Sequence, residues 1–482
     1  MAGPTLSSPD LPHSPRVAEL DGALDKIGVT RSHHTIIFLI LIGCLFDAFE
    51  QNAIGLVGPL LKQQWGLTAT DIGLLNTVTF ASAAIGRIVS GLVADRYGRR
   101  VMLSLDLLLF TLGAGICALA PDLTVMAVGR AIVGFGLGGE IAIAVTMLAE
   151  FCSSKFRGTA VGLVNVGAGG MGNFLAPAFG LLVFTLFPGE NSWRWLFFCL
   201  MLPALLGAFY RRYIPETPRF LLSRNKIAEA NQVLARLASG KLSGPAPQGR
   251  DWISDDGSRQ QAAPAKVRSM EIFQGALARR TLPLCIAIWM TYGAQISVLT
   301  LMPTILVSLG YTISKSLLFT MVMQSGSLLG AIAASVFGFH LPRKRVLTAG
   351  AICACLAALA IGFLAKSIVL ILAAGAVFQF FVLLLNTTIW IFAPELYPTR
   401  VRAFGTAFIL ATGTAAGALM PLVAGRLFDA FGLAGVFGMI AAMYGIFTVA
   451  IRTVPETYGK SPDAPLEETA PEAVVPGVVA RS

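Results

Sequence analysis

Twelve runs of roughly 20 predominantly apolar residues, the length a helix needs to cross about 30 Å of hydrocarbon, constrain this chain more than anything else in it. They fall at 36–60, 72–94, 101–120, 124–149, 158–187, 194–214, 281–308, 316–340, 346–364, 367–392, 403–428 and 432–453. Lipid offers a bare backbone no hydrogen bonds, so runs of this length are expected to be helices. Of the 482 residues, 55% are apolar and 13% charged. A water-soluble chain of that length could not keep so much apolar surface from solvent. The expected fold class is therefore all-α integral membrane, with twelve transmembrane helices.

A formal charge of +10 would suit nucleic acid if the cations formed one patch. They gather instead in alternate loops: Arg96, Arg99 and Arg100; Lys155 and Arg157; Arg211, Arg212 and the 215–280 stretch; Arg343, Lys344 and Arg345; Arg400 and Arg402. The intervening loops hold few, such as Lys62, Lys315 and Lys366. This alternation is the positive-inside pattern and predicts both termini in the cytoplasm, with the bilayer rather than nucleic acid as partner. Residues 1–30 are polar, with no apolar core or cleavage site, so the first helix is expected to direct insertion. The seven cysteines lack metal or disulfide spacing and read as small hydrophobes. No metal or cofactor is expected, and a monomer is.

A shift of 245 carries Glu150 onto Glu395 and Arg157 onto Arg402, and Arg99 and Arg100 onto Lys344 and Arg345. A shift of 240 carries Pro215-Glu216-Thr217 onto Pro455-Glu456-Thr457. Two tandem six-helix halves follow, an arrangement that in transporters places the substrate site near the midplane between them. The expected division is 1–34 cytoplasmic, 35–214 and 281–454 membrane bundles, 215–280 a cytoplasmic linker holding an amphipathic helix over 219–241, and 455–482 a disordered cytoplasmic tail. Within the linker, 243–265 also reads as disordered.

The segment Gly91, Asp95, Arg96, Gly98, Arg99, Arg100 matches the GxxxDRxGRR signature of the major facilitator superfamily, and Pro215 to Arg219 resembles its PESPR element. Glu395-Leu-Tyr-Pro-Thr-Arg-Val-Arg402 resembles the loop after helix 10 in the same group. GFGLGGE around Glu140 and FDAFE in helix 1 resemble the metabolite:proton symporters, which include carriers of niacin and aromatic acids, beside the sugar porters. The resemblance implies two pseudo-symmetric six-helix bundles working by alternating access.

Charge inside a span costs about 2.5–3.5 kcal/mol on insertion scales, so each such group must face protein or a wet cavity. Glu50 lies ~21 Å up helix 1 and Arg130 ~9 Å below the outer start of helix 4, which sets them at one level in a ~30 Å slab. The resemblance to the sugar porters implies that this acid and arginine couple transport to protons. The competing reading is a static ion pair between helices 1 and 4. All four histidines lie in the N-terminal segment or at a membrane edge, so a deep proton relay has to use Asp47, Glu50 and Glu140. Arg87 and Asp106 sit at similar depths on helices 2 and 3 and read as a mutually neutralising structural pair. Gly91, Asp95, Arg96, Arg99 and Arg100, with Glu150/Arg157 and Glu395/Arg402 bracketing two turns, read as a cytoplasmic gate; Asp95 would sit at the helix N-terminus near Arg402 to Gly405. In the second half His340 takes the place equivalent to Asp95. Gly134, Gly138 and Ala142, four apart, read as a close helix contact; their GxGxxG pattern lies within a helix rather than after a strand.

The 245 shift sets Tyr292 opposite Asp47 and Gln295 opposite Glu50. With Gln324, Asn386, Trp390 and Thr412, and Asn165 and Asn173 from helix 5, they form a candidate substrate side suited to a small ring with a few polar substituents. Each could equally be interhelical glue. The expected function is proton-coupled uptake of a small organic solute, most of all an aromatic or other monocarboxylate, in a bacterial inner membrane. A sugar or polyol, efflux by antiport, and a sensor that binds without transport stay open; Pro177 following Ala176, not Gly, tells against export. No nucleophile–base pair or cofactor motif supports an enzyme.

Overall fold

The computed structural model describes residues 15–243, 251–254, 269–337, 341–364 and 367–457. Every regular element among them is a helix. Ten helices are long and apolar enough to cross a membrane, and two departures from straight helix bring the count to twelve. The sixth span is Ser192–Cys199 followed by Pro203–Tyr213; its interruption falls just before Pro203, which has no N–H to give and crowds the residue ahead of it. The eleventh and twelfth spans share the run Thr399–Arg452, turned at Gly432 with φ 63° and ψ −148°, a conformation open only to glycine.

The remaining spans are Arg31–Trp65, Ala69–Tyr97, Arg99–Leu119, Leu123–Phe151, Ser154–Leu186, Gly275–Ser308, Ile313–Phe337, Arg343–Leu364 and Ile368–Glu395. The fifth widens into a π-helical stretch over Asn165–Gly172, NVGAGGMG. Its glycines supply no side chains to hold the tighter helix. The first six spans make one bundle and the last six the other.

Glycines decide how close the second and fourth spans lie. A Cβ at Gly134 would meet the Thr79 carbonyl, one at Gly138 the Ala83 carbonyl, and one at Gly86 the Phe135 carbonyl. Backbones thus touch across this seam, the packing that small residues permit in lipid. Ala142 does not join it and stands exposed. Gly138→Val is expected to cost about 1–3 kcal/mol through overpacking, read as a lowered unfolding temperature in detergent, whereas Gly91→Ala, whose added Cβ meets nothing within 4 Å, is expected not to lower it.

Outside the membrane, the stretch 219–241 is two helices, Pro218–Ser223 and Ile227–Ser239, joined through Asn225 at φ 58°. Ile227, Ala230, Val233, Leu234 and Leu237 are buried at helical spacing and pack with Leu20 and Leu24 of the helix Pro15–Ile27. Asp21 of that helix holds Arg219 at 2.6 Å and Arg157 at 3.4 Å. The readings made for 243–265 and 455–482 fall almost wholly outside the described residues.

Candidate functional site

In the middle of the first bundle, Glu50 of the first span meets Arg130 of the fourth, and neither has any exposed side-chain surface. Arg130 Nη1 donates to Glu50 Oε2 at 2.8 Å, Nη2 to the Glu50 carbonyl at 3.2 Å and Nε to Thr79 Oγ1 at 3.0 Å. Thr79 in turn donates to the Leu75 carbonyl at 2.9 Å. The guanidinium is thereby occupied at all three nitrogens, while Glu50 Oε1 is buried without a partner. Losing one member of such a pair strands a buried charge.

Two more buried carboxylates lie nearby. Asp47 Oδ2 accepts from Gln51 Nε2 at 3.0 Å, and its Oδ1 has no partner. Neither oxygen of Glu140 has a partner, and Asp47 and Glu140 lie within electrostatic reach of each other. Asp47, Glu50 and Glu140 therefore each present an unfilled oxygen on which a proton can sit.

Between the bundles opens a cavity of about 620 Å³, counting its mouth, walled by Gln51, Phe80, Arg87, Tyr292, Trp390 and Thr414 among others. Thr79, the residue that holds Arg130, also lines it. Phe80 and Tyr292 meet edge-on with centroids 6.4 Å apart. Arg87 Nη1 crosses from the second span to the eleventh, donating to Thr414 Oγ1 at 2.6 Å and the Leu410 carbonyl at 3.4 Å, while Nε donates to the Gly138 carbonyl at 3.3 Å. The expected Arg87–Asp106 pair does not form. Asp106 takes the Ser90 hydroxyl at 3.0 Å instead, because Ser90, one turn beyond Arg87, is the residue that faces the third span. Depth along the helix matched; direction did not.

Of the eight residues expected to read substrate, Tyr292 and Trp390 line the cavity. Of the other six, five hold helices to each other or to themselves. Asn386 Nδ2 donates to Gln295 Oε1 at 2.6 Å, Ser327 Oγ to Gln324 Oε1 at 2.6 Å and Asn52 Nδ2 to Asn173 Oδ1 at 2.9 Å. Thr412 turns back onto the Ile409 carbonyl at 2.6 Å, and Asn165 is half-buried where the π-helical stretch begins. Arg87, Gln51, Phe80 and Thr414 line the cavity as well, outside the set expected to read substrate. An arginine on the face of a span that meets the other bundle was the available signal for the first.

The motif face carries a clasp repeated in both halves. Glu150 and Glu395 pair with Arg99 at 3.4 Å and Arg343 at 3.2 Å, not with Arg157 and Arg402. Arg157 goes to the Ala149 carbonyl at 2.9 Å and to Asp21, and Arg402 Nε to the Tyr397 carbonyl at 3.1 Å. Glu216 accepts from the backbone N–H groups of Arg99 and Arg100 at 3.1 and 3.2 Å, and Glu456 from those of Arg343 and Lys344 at 3.1 and 2.9 Å. Each places an anion at a helix N-terminus. Burial pushes the Glu216 carboxyl up from its ordinary value, against the pull of the Thr217, Arg100 and Arg99 amides and the Arg99 guanidinium. The clasp makes Arg343 the counterpart of Arg99, so the offset here is one residue less than 245. Asp95 does not reach the eleventh helix: its side chain is 76% exposed and sits 3.4 Å from Arg99. Arg96 lies over the Tyr97 ring at 5.5 Å. His340 lies outside the described residues.

Among the described residues no group of three His, Cys, Asp or Glu could hold a metal ion. Twelve apolar helices in two bundles, with a cavity between them and buried charge beside it, define a major facilitator transporter rather than an enzyme. The profile of the sugar (and other) transporter family matches residues 37–465, and the chain belongs to that family. It is 28% identical over 445 residues to the niacin transporter NiaP of Acinetobacter baylyi, covering 92% of this chain and 98% of that one. It is 29% identical over 405 residues to the gallate transporter of Pseudomonas putida, covering 81% and 85%. Its fold matches the partially occluded inward-open form of the xylose transporter XylE from E. coli with a TM-score of 0.73 at 17% identity, over 89% of this chain and 99% of that one.

Proposed function

We propose that this protein is a proton-coupled symporter that takes up a small organic monocarboxylate, aromatic acids foremost, by alternating access. The carrying observation is the sealed Glu50–Arg130 pair, which shares Thr79 with the cavity between the bundles. A carboxylate facing a guanidinium stays ionised; parted from it in an apolar setting, it takes a proton. Protonation of Glu50 releases Arg130, and the freed contact biases the rocking of one bundle against the other. Asp47 and Glu140 extend the proton route. The niacin and gallate carriers among the relatives support an acid as cargo. The family's description gives a neutral sugar as the second reading.

The same reading sets the protein in a bacterial inner membrane as a monomer, with the motif face and both termini cytoplasmic, bundles at 35–214 and 281–454, and 215–280 linking them. Bonds between the bundles run from Asp429 on the Thr70 hydroxyl, 2.6 Å, to Thr414 on Arg87, while Asp95 is unlatched. That combination corresponds to the state open to the cytoplasm.

Purified protein in proteoliposomes with an inside-alkaline pH gradient is expected to accumulate benzoate or nicotinate and to stop when a protonophore collapses the gradient. Accumulation of xylose but neither acid would select the second reading. Binding without accumulation would make the protein a sensor.

A further inference from the structure

We infer that Arg87 is the group that receives the carboxylate of the transported solute. This deepens the organic-acid reading above and rests on it. Two membrane arginines lie beside the cavity, and they differ in what they have left to give. Arg130 is fully buried, bonded through all three nitrogens and already matched to Glu50. Arg87 lines the cavity itself. Its partners are neutral oxygens only, those of Thr414, Leu410 and Gly138, and its Nη2 group has none. No carboxylate among the described residues lies within ion-pair distance of it: Asp106 faces Ser90, and Asp47, within electrostatic reach, is held by Gln51.

A guanidinium shielded by neutral dipoles in a largely apolar wall still lacks an anion. Its planar fork fits a carboxylate in two parallel hydrogen bonds. Phe80, Tyr292 and Trp390 beside it offer apolar faces for a ring attached to that carboxylate. An end-on clasp through Nη1 and Nη2 takes Nη1 from Thr414 and Leu410, and those belong to the other bundle. Cargo binding thereby exchanges a bond between the bundles for a bond to solute, so the anchor is also where the load is felt by the moving halves. An amide of the same shape carries no charge to draw the guanidinium away.

The test is equilibrium binding of labelled benzoate and nicotinate, each beside its amide, to the full purified chain. Wild type is expected to prefer the acids. Arg87→Gln is expected to weaken acid binding roughly 10- to 100-fold, the range for a hydrogen bond to a charged group, and to bring acid and amide level. Arg87→Lys, which keeps the charge without the fork, is expected to fall between and serves if the glutamine variant does not fold. An unchanged acid-to-amide ratio in Arg87→Gln or Arg87→Lys overturns the anchor and leaves the organic-acid reading standing. A wild type that binds neither acid overturns both.

Discussion

Arg130→Met is expected to destabilise the protein by about 3–5 kcal/mol and to abolish transport. The size follows from what the substitution leaves behind: Glu50, with no exposed surface, loses its partner at 2.8 Å and has no other cation within bonding range. Thr79 Oγ1 and the Glu50 carbonyl lose a donor as well. The double variant Glu50→Gln, Arg130→Met removes both charges, so most of the lost stability is expected to return while transport stays absent. Unfolding temperatures of the wild type, both single variants and the double variant close the cycle. Arg130→Met unfolding at the wild-type temperature would mean that the pair is not sealed from water as described.

Glu50→Gln separates motion from coupling. Glutamine has nearly the shape of glutamate and keeps an oxygen for Arg130 Nη1, so the cavity and the rocking are expected to survive. It can neither hold a charge nor exchange a proton. Exchange of labelled for unlabelled solute across the membrane is expected to continue within several-fold of wild type, while gradient-driven accumulation falls to the level of simple equilibration. Asp47 and Glu140, left intact, do not replace it, because neither is bonded to Arg130.

Much of this is legible in the sequence. Twelve spans follow from run lengths, and the meeting of Glu50 with Arg130 from two depths in one slab. What depth cannot give is direction around the helix axis. That is why Arg87 was assigned to Asp106 when it points to Thr414 on the far bundle. Gln295, Asn386, Gln324 and Asn173 share the same ambiguity: a polar group in an apolar helix has to satisfy itself somewhere, and these do so with one another or with close neighbours. The repeat located Glu150 and Glu395 correctly as a matched set, yet a one-residue drift in offset hid their partners Arg99 and Arg343. The triplet Pro-Glu-Thr was visible twice; that its glutamate caps a helix needed the fold.

Proton movement that accompanies solute entry tests the central claim most directly. Proteoliposomes without any imposed gradient, loaded with a pH-sensitive dye, receive a pulse of external solute. Wild-type protein is expected to acidify the lumen in step with labelled solute entry, and Glu50→Gln to admit solute with no acidification of its own. Glu50→Gln carrying protons and solute in the wild-type ratio would contradict the account.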